Sequence, residues 1–184
     1  MSIDADVVVR DTRRWLERAM IGLNLCPFAK AVHAKGLVHY AVSVARDPAD
    51  VLEDLAQELD ALAAIDPKER DTTLLIVPHC LHDFLDFNDL LGRAERLLRK
   101  RGLEGVMQLA SFHPRYRFAD TEEDDITNFT NRSPYPVIHL LREDSITRAV
   151  EAFPHPETIY EANMRALHAL GREGWDALDV GPSP

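Results

Sequence analysis

Apolar residues recur at helical spacing from the beginning of the chain: Val8, Trp15, Leu16, Ala19 and Leu23 fall on one face, so residues 4–23 are predicted to form an amphipathic helix. Asn24 and Pro27 then punctuate the pattern. Beyond Gly36 the run LVHYAVSV alternates and is rich in valine, which predicts a strand over 37–44. Asp47 or Pro48 opens a second helix whose Val51, Leu52, Leu55, Leu59 and Leu62 share a face, and Pro67 closes that segment. TTLLIV, residues 72–77, is continuously apolar, as a strand covered on both faces must be, and Pro78 stops it. Phe84, Phe87, Leu91, Ala94 and Leu98 mark a third helix with Gly102 as its stop, and GVMQLASF, residues 105–112, predicts a third strand.

The regularity breaks over HPRYRFADTEEDDITNFTNRSPYP, a polar connection long enough to suggest function. Thr121 followed by Asp124 has the form of a capping box, so a short helix is expected over 122–129. VIHLL, residues 137–141, predicts a fourth strand of undetermined direction. Helices are expected over 144–152 and over 157–170, the last stopped by Gly171. The alternation of helix and strand predicts an α/β fold, a three-layer or two-layer sandwich with a mainly parallel or mixed sheet of about four strands. One domain is expected over residues 1–174, followed by a loose tail over 175–184.

Composition narrows the functional classes. A chain of 184 residues is long enough to bury roughly two-thirds of its unfolded surface around one core. Hydrophobic residues at 46% and charged residues at 28% are ordinary for a globular domain. The chain shows neither a basic, apolar leader nor an apolar run long enough to span a bilayer, so no membrane association is expected. Two cysteines, Cys26 and Cys80, without a CxxC pair suit a reducing compartment, and a cytoplasmic location is expected. A formal charge of −10 argues against nucleic acid as a partner. A small anion held by a local cluster of cations remains open.

Several residues could carry chemistry. Cys26 precedes Pro27, which is favoured at the first position of a helix, so the thiol would sit beside unpaired N–H groups, where a thiolate is stabilised. Lys30 is near. The competing reading is a small buried apolar residue. His79 and His113 follow the second and third strands, at the carboxyl edge where ligands gather in open α/β sheets. Either could serve as a general base, metal ligand or anion donor, or simply cap a loop. The long connection offers Arg115, Tyr116, Arg117, Asn128, Thr130, Asn131, Arg132, Ser133 and Tyr135. Pro134 and Pro136 stiffen the turn around Tyr135, and arginine suits a two-pronged grip on carboxylate or phosphate. The alternative is a solvated loop whose arginines pair with its acids. The acidic run Asp120, Glu122, Glu123, Asp124 and Asp125 lacks calcium-loop spacing and reads as helix capping. His139 reads as a core or cross-strand residue, and no histidine or cysteine spacing fits a structural zinc site. No GxGxxG, GxxxxGK[ST], GxSxG or HExxH motif is present.

The segments GLNLCPFAK, DTTLLIVP, DFLDFND, GLEGVMQLASFHPRYRFA and TNRSPYPVIHLLRE resemble, in that order, a bacterial and plant family, the domain of unknown function fourteen-fifteen. The likeness runs from about Thr12 to Gly171. It implies no established activity or cofactor. It does single out Cys26, His113, Tyr116, Asn131, Arg132, Ser133, Tyr135 and Pro136 as motif residues.

Three functions follow from these residues. The first is an enzyme acting on a small anionic metabolite, with Cys26 as nucleophile or redox thiol and His113 as acid/base. His79, Arg115, Tyr116, Asn131, Arg132, Ser133 and Tyr135 would hold the substrate. The second is a mononuclear metal site built on Cys26 and His113 with His79. The third is a non-catalytic domain that binds a ligand or partner through the proline-stiffened loop, with Cys26 buried and far from it. Substrate, cofactor and oligomeric state are not specified by the sequence.

Overall fold

The computed structural model describes residues 4–184; residues 1–3, within the expected domain, lie outside the described residues. Helix α1, Ala5–Trp15, begins where the Asp4 carboxylate accepts the Asp6 N–H. It runs into a π-helical turn, Leu16–Ile21, rather than continuing as one α-helix. That turn ends on a bond from the Gly22 N–H to the Glu17 carbonyl. A Cβ at Gly22 would lie 2.2 Å from the Arg18 carbonyl oxygen, so the wide turn requires glycine there. Helix α2, Ala29–Ala34, leads into strand β1, Val38–Val42.

Helix α3, Pro48–Ala64, starts with the Asp47 carboxylate accepting two backbone N–H groups and proline in the first turn. Strand β2, Thr72–Ile76, is buried throughout, as its apolar run requires. Helix α4, Phe84–Lys100, repeats the capping device with Asp83 and ends in Arg99 and Lys100, which complement the helix dipole. Strand β3, Met107–Phe112, a 3-10 helix, Ile126–Asn131, and strand β4, Val137–Arg142, follow. Helix α5, Glu143–Ala152, and helix α6, Ile159–Ala177, complete the order.

The four strands form one sheet in the order β1-β2-β4-β3. β1 runs parallel to β2, whereas β4 is antiparallel to both of its neighbours, so the sheet is mixed. Alternation along each strand assigns the two faces. Leu75 of β2 and Ile138 and Leu140 of β4 join Leu55, Leu59 and Leu62 of α3 and Phe87, Leu90 and Ala94 of α4 in one cluster. Leu74, Ile76, Phe112 and Val137 face the other way and pack with Trp15, Met20, Leu167 and Trp175, from α1, its π turn and α6. Burying each such leucine or phenylalanine contributes about 1.5–3 kcal/mol, which is why both faces carry helices. Arg142 closes the first face at its end, donating to the carbonyls of Leu62, Ile65 and Arg70, where α3 stops.

Three expectations are corrected. The short helix predicted over 122–129 is a 3-10 helix four residues later, because Asp125, not Thr121, accepts the capping N–H, from Thr127. Gly171, with φ 65° and ψ 178°, interrupts the helix where a stop was expected, but a further helical segment follows it to Ala177, so α6 continues across a kink. The tail expected to be loose is packed down: Trp175 is 8% and Val180 5% exposed, and Ser183 hydrogen-bonds Asp11. Two large apolar side chains at its root give that segment a face to bury.

Candidate functional site

β1, β2 and β3 point the same way, and the connection from His113 to Pro136 lies beyond their carboxyl ends before returning as β4. Internal bonds shape it. The Asn128 amide oxygen accepts the Phe118 N–H and the Thr121 hydroxyl, while its NH2 donates to the Glu122 carbonyl. Asn131 donates to the Ser111 carbonyl, and its own carbonyl accepts the His113 N–H, tying the loop to the end of β3. Ser133 donates to the Tyr135 carbonyl, and the Tyr135 hydroxyl donates to Asp11 at 2.9 Å. Burial, followed by the Asp11 carboxylate, pushes the Tyr135 hydroxyl well above its ordinary range, so it stays protonated as a donor.

Between this connection and the far end of α6 lies a hollow of about 240 Å³, whose walls include Trp15, Phe129, Arg132, Ser133, Arg172 and Trp175 and one carboxylate, Asp176. Two guanidinium groups sit on one ring: the Cζ atoms of Arg132 and Arg172 are 4.4 and 5.1 Å from the Phe129 centroid. Phe129 itself meets Trp175 edge to face at 5.0 Å, and the Trp15 indole N–H donates to the Arg132 carbonyl. Arg132 donates through Nε to the Tyr116 carbonyl and through an NH2 group to the Glu123 carbonyl. Among the described residues no carboxylate lies within ion-pair range of Arg132, whereas Arg172 pairs with Asp176 at 3.1 Å. Burial, reinforced by the neighbouring Arg172 and only partly opposed by the Glu123 carboxylate, holds the Arg132 guanidinium below its ordinary pKa.

The structure gathers some of the residues singled out by sequence and separates others. Arg132 and Ser133 line the hollow. Tyr116, Asn131 and Tyr135 stand behind it and fix the loop. The Tyr116 ring packs between Phe84 and Phe118. Arg115 is at the surface, 3.3 Å from Glu123.

His113 is fully buried on the α3/α4 face, with its ring against Phe84 and Phe87. Its Nδ1 accepts the Arg115 N–H, so Nε2 carries the proton and donates to the Leu81 carbonyl at 3.0 Å. Leu81 has φ 59°, and this bond pins that strained turn. Burial lowers the His113 pKa, so both ring nitrogens are occupied and the ring stays neutral.

Cys26 lies on the opposite face of the sheet from His113, packed against the α1/α6 cluster. The adjoining Leu25 carbonyl is held by Asn163, near the start of α6, whereas the hollow is at its far end. Burial pushes the Cys26 thiol up, and the Phe28 and Ala29 amides that favour the thiolate do not offset it. His79 follows the end of β2, where burial first and the positive charge of Arg46 next lower its pKa. Cys26 and His113 are thus not brought together, and among the described residues no three His, Cys, Asp or Glu side chains converge as a metal site would require. A larger depression of about 450 Å³ near the start of α4 is walled by Asp86 and Asp89 against His82 and Arg93, a poorer balance for an anion.

Phe129, Arg172, Trp175 and Asp11 were not singled out by sequence. Trp175 inside a segment otherwise read as loose was the available signal, since a large aromatic residue is seldom left exposed. No helix among the described residues is long and apolar enough to cross a membrane. A family model described as protein of unknown function (DUF1415) matches residues 7–177. No curated protein and no solved structure matches the chain.

Proposed function

The chain belongs to the DUF1415 family of proteins of unknown function, and we propose that it is a ligand-binding protein that takes a small, multiply charged oxyanion, a carboxylate or phosphate, in the Arg132/Arg172 hollow. The observation that carries this reading is the pair of guanidinium groups on one phenyl ring, one of them half-buried with backbone carbonyls for partners and no carboxylate in range. An oxyanion between them supplies counter-charge, and a guanidinium offers it two parallel N–H groups. Ser133 and the two indoles complete a wall of mixed polarity suited to a small metabolite.

Binding without catalysis is the better supported form of this reading. A coupled thiol and imidazole would need Cys26 and His113 within hydrogen-bond reach or one water of it. They lie on opposite faces of the sheet, and each is occupied by local bonds. The same separation weighs against a metal held by those two residues. A location inside the cell remains part of the proposal, on the strength of two unpaired cysteines.

Calorimetric titration with pyrophosphate and with citrate tests it, using potassium chloride as control. The unaltered chain is expected to bind saturably, and Arg132→Gln or Arg172→Gln to weaken binding by roughly 10-fold to 100-fold, the loss of one charge-assisted contact. Equal affinity in both variants, or no saturable heat with either anion, contradicts the proposal.

A further inference from the structure

The hollow has a second wall after α6. Val180, Gly181 and Pro182 line it together with Arg132 and Ser133. Beyond Asp179 these residues make no backbone-to-backbone hydrogen bond among the described residues. Side chains of α1 and its π turn hold the segment instead. Arg14 donates to the Gly181 carbonyl at 2.8 Å and Arg18 to the Leu178 carbonyl at 2.9 Å. At the far end the Asp11 carboxylate accepts the Ser183 N–H at 2.7 Å and the Ser183 hydroxyl at 2.6 Å.

Asp11 is fully buried on α1, and it also takes the Tyr135 hydroxyl, which closes the first wall. One carboxylate therefore joins both sides of the hollow. We propose that residues 181–184 are a strap, latched by Ser183 on Asp11, that governs how long an anion stays in the hollow; this rests on the anion-binding reading above.

Two features make the strap releasable. If Ser183 leaves, Asp11 keeps the Tyr135 hydroxyl and Arg14, 3.3 Å away, so release does not strand a buried charge. Gly181, exposed and with open space around it, follows the buried Val180, so a change of its backbone dihedrals swings Pro182 and Ser183 while Val180 stays in place. Val180 stays buried in the α1/α6 cluster, whereas residues 181–184 beyond it are held by a few side-chain bonds and open locally at much lower cost than the sheet or the helices.

The test is the rate at which pyrophosphate leaves, read by stopped-flow tryptophan fluorescence. Trp15 and Trp175, the only tryptophans of the chain, both line the hollow. Ser183→Ala removes the hydroxyl bond to Asp11, and Ser183→Pro removes the hydroxyl and the amide together. Both substitutions lie at the outer end of the strap, and thermal melting confirms that the body is folded. Dissociation is expected to accelerate in the order unaltered chain, Ser183→Ala, Ser183→Pro, with about a tenfold increase or more at the last step. Hydrogen exchange at the Ser183 amide is expected to slow when pyrophosphate is added to the unaltered chain. Pyrophosphate that binds but leaves all three proteins at one rate, or leaves the variants more slowly, overturns the strap alone. An unaltered chain that does not bind pyrophosphate overturns the strap and the anion-binding reading together.

Discussion

Arg132 owes its place to neighbours that are mostly backbone. Carbonyls of Tyr116 and Glu123 orient it, the Phe129 ring supports it, and the Trp15 indole holds its own carbonyl. Ligand-facing cations are commonly held this way, by contacts that fix direction without neutralising charge.

His139 shows the opposite use of a polar residue. Its Nε2 lies 2.6 Å from the Thr72 hydroxyl, which itself donates to the Leu140 carbonyl, so Nε2 carries a proton and donates to that hydroxyl. Burial lowers the His139 pKa from 6.5 to about 4. Between those values the unfolded chain takes up a proton that the folded one refuses. The stabilisation is therefore complete above about pH 6.5 and is lost as pH falls toward 4, by at most about 3 kcal/mol at 1.36 kcal/mol per unit. His113, also lowered by burial, acts in the same direction. Urea unfolding at pH 7, 6 and 5 is expected to show this decline, and His139→Gln to flatten it. A free energy of unfolding constant from pH 7 to 5 contradicts the assignment.

Among the elements, α6 is the one whose geometry matters most to the hollow. Its first part packs Leu167 into the core and holds Leu25 through Asn163, while the part after Gly171 carries Arg172 and Trp175 into the hollow. The kink sets where those two side chains point. At φ 65° and ψ 178° a side chain is strained even though a Cβ there meets no neighbour within 4 Å. Gly171→Ala is therefore expected to cost about 1–3 kcal/mol of stability and to weaken anion binding, because relief of the strain turns Arg172 away from Phe129. Denaturant melts combined with titration check this. An alanine variant of unchanged stability and affinity would show that the kink positions nothing.

Across the whole molecule, the α/β class and the strand positions were legible because TTLLIV and GVMQLASF have no other economical reading, and because aspartate or proline marks the starts of α3 and α4. The direction of β4 was not legible. A long connection can return a strand either way, and only the pairing of Val137 with both Ile76 and Phe112 decides it. That antiparallel insertion between β2 and β3 places His113 on the α3/α4 face while Cys26 stays on the other, a separation that residue type and spacing do not encode. Arg132 and Ser133, which line the hollow, stood out in the sequence because they adjoin the turn that Pro134 and Pro136 stiffen around Tyr135. Arg172 did not, since glycine within an apolar helical pattern reads as a stop, and the packing of Trp175 and Val180 carries the chain past it.

The central claim is that an anion binds at one place, between Arg132 and Arg172. Nitrogen-15 NMR of the unaltered chain during a pyrophosphate titration tests it most directly, because each of the two indole N–H groups gives its own signal. Both signals, with the amides of Arg132, Ser133 and Arg172, are expected to move together and saturate. Shifts confined to His79, His82 and Arg93, or no saturable shift anywhere, would contradict it.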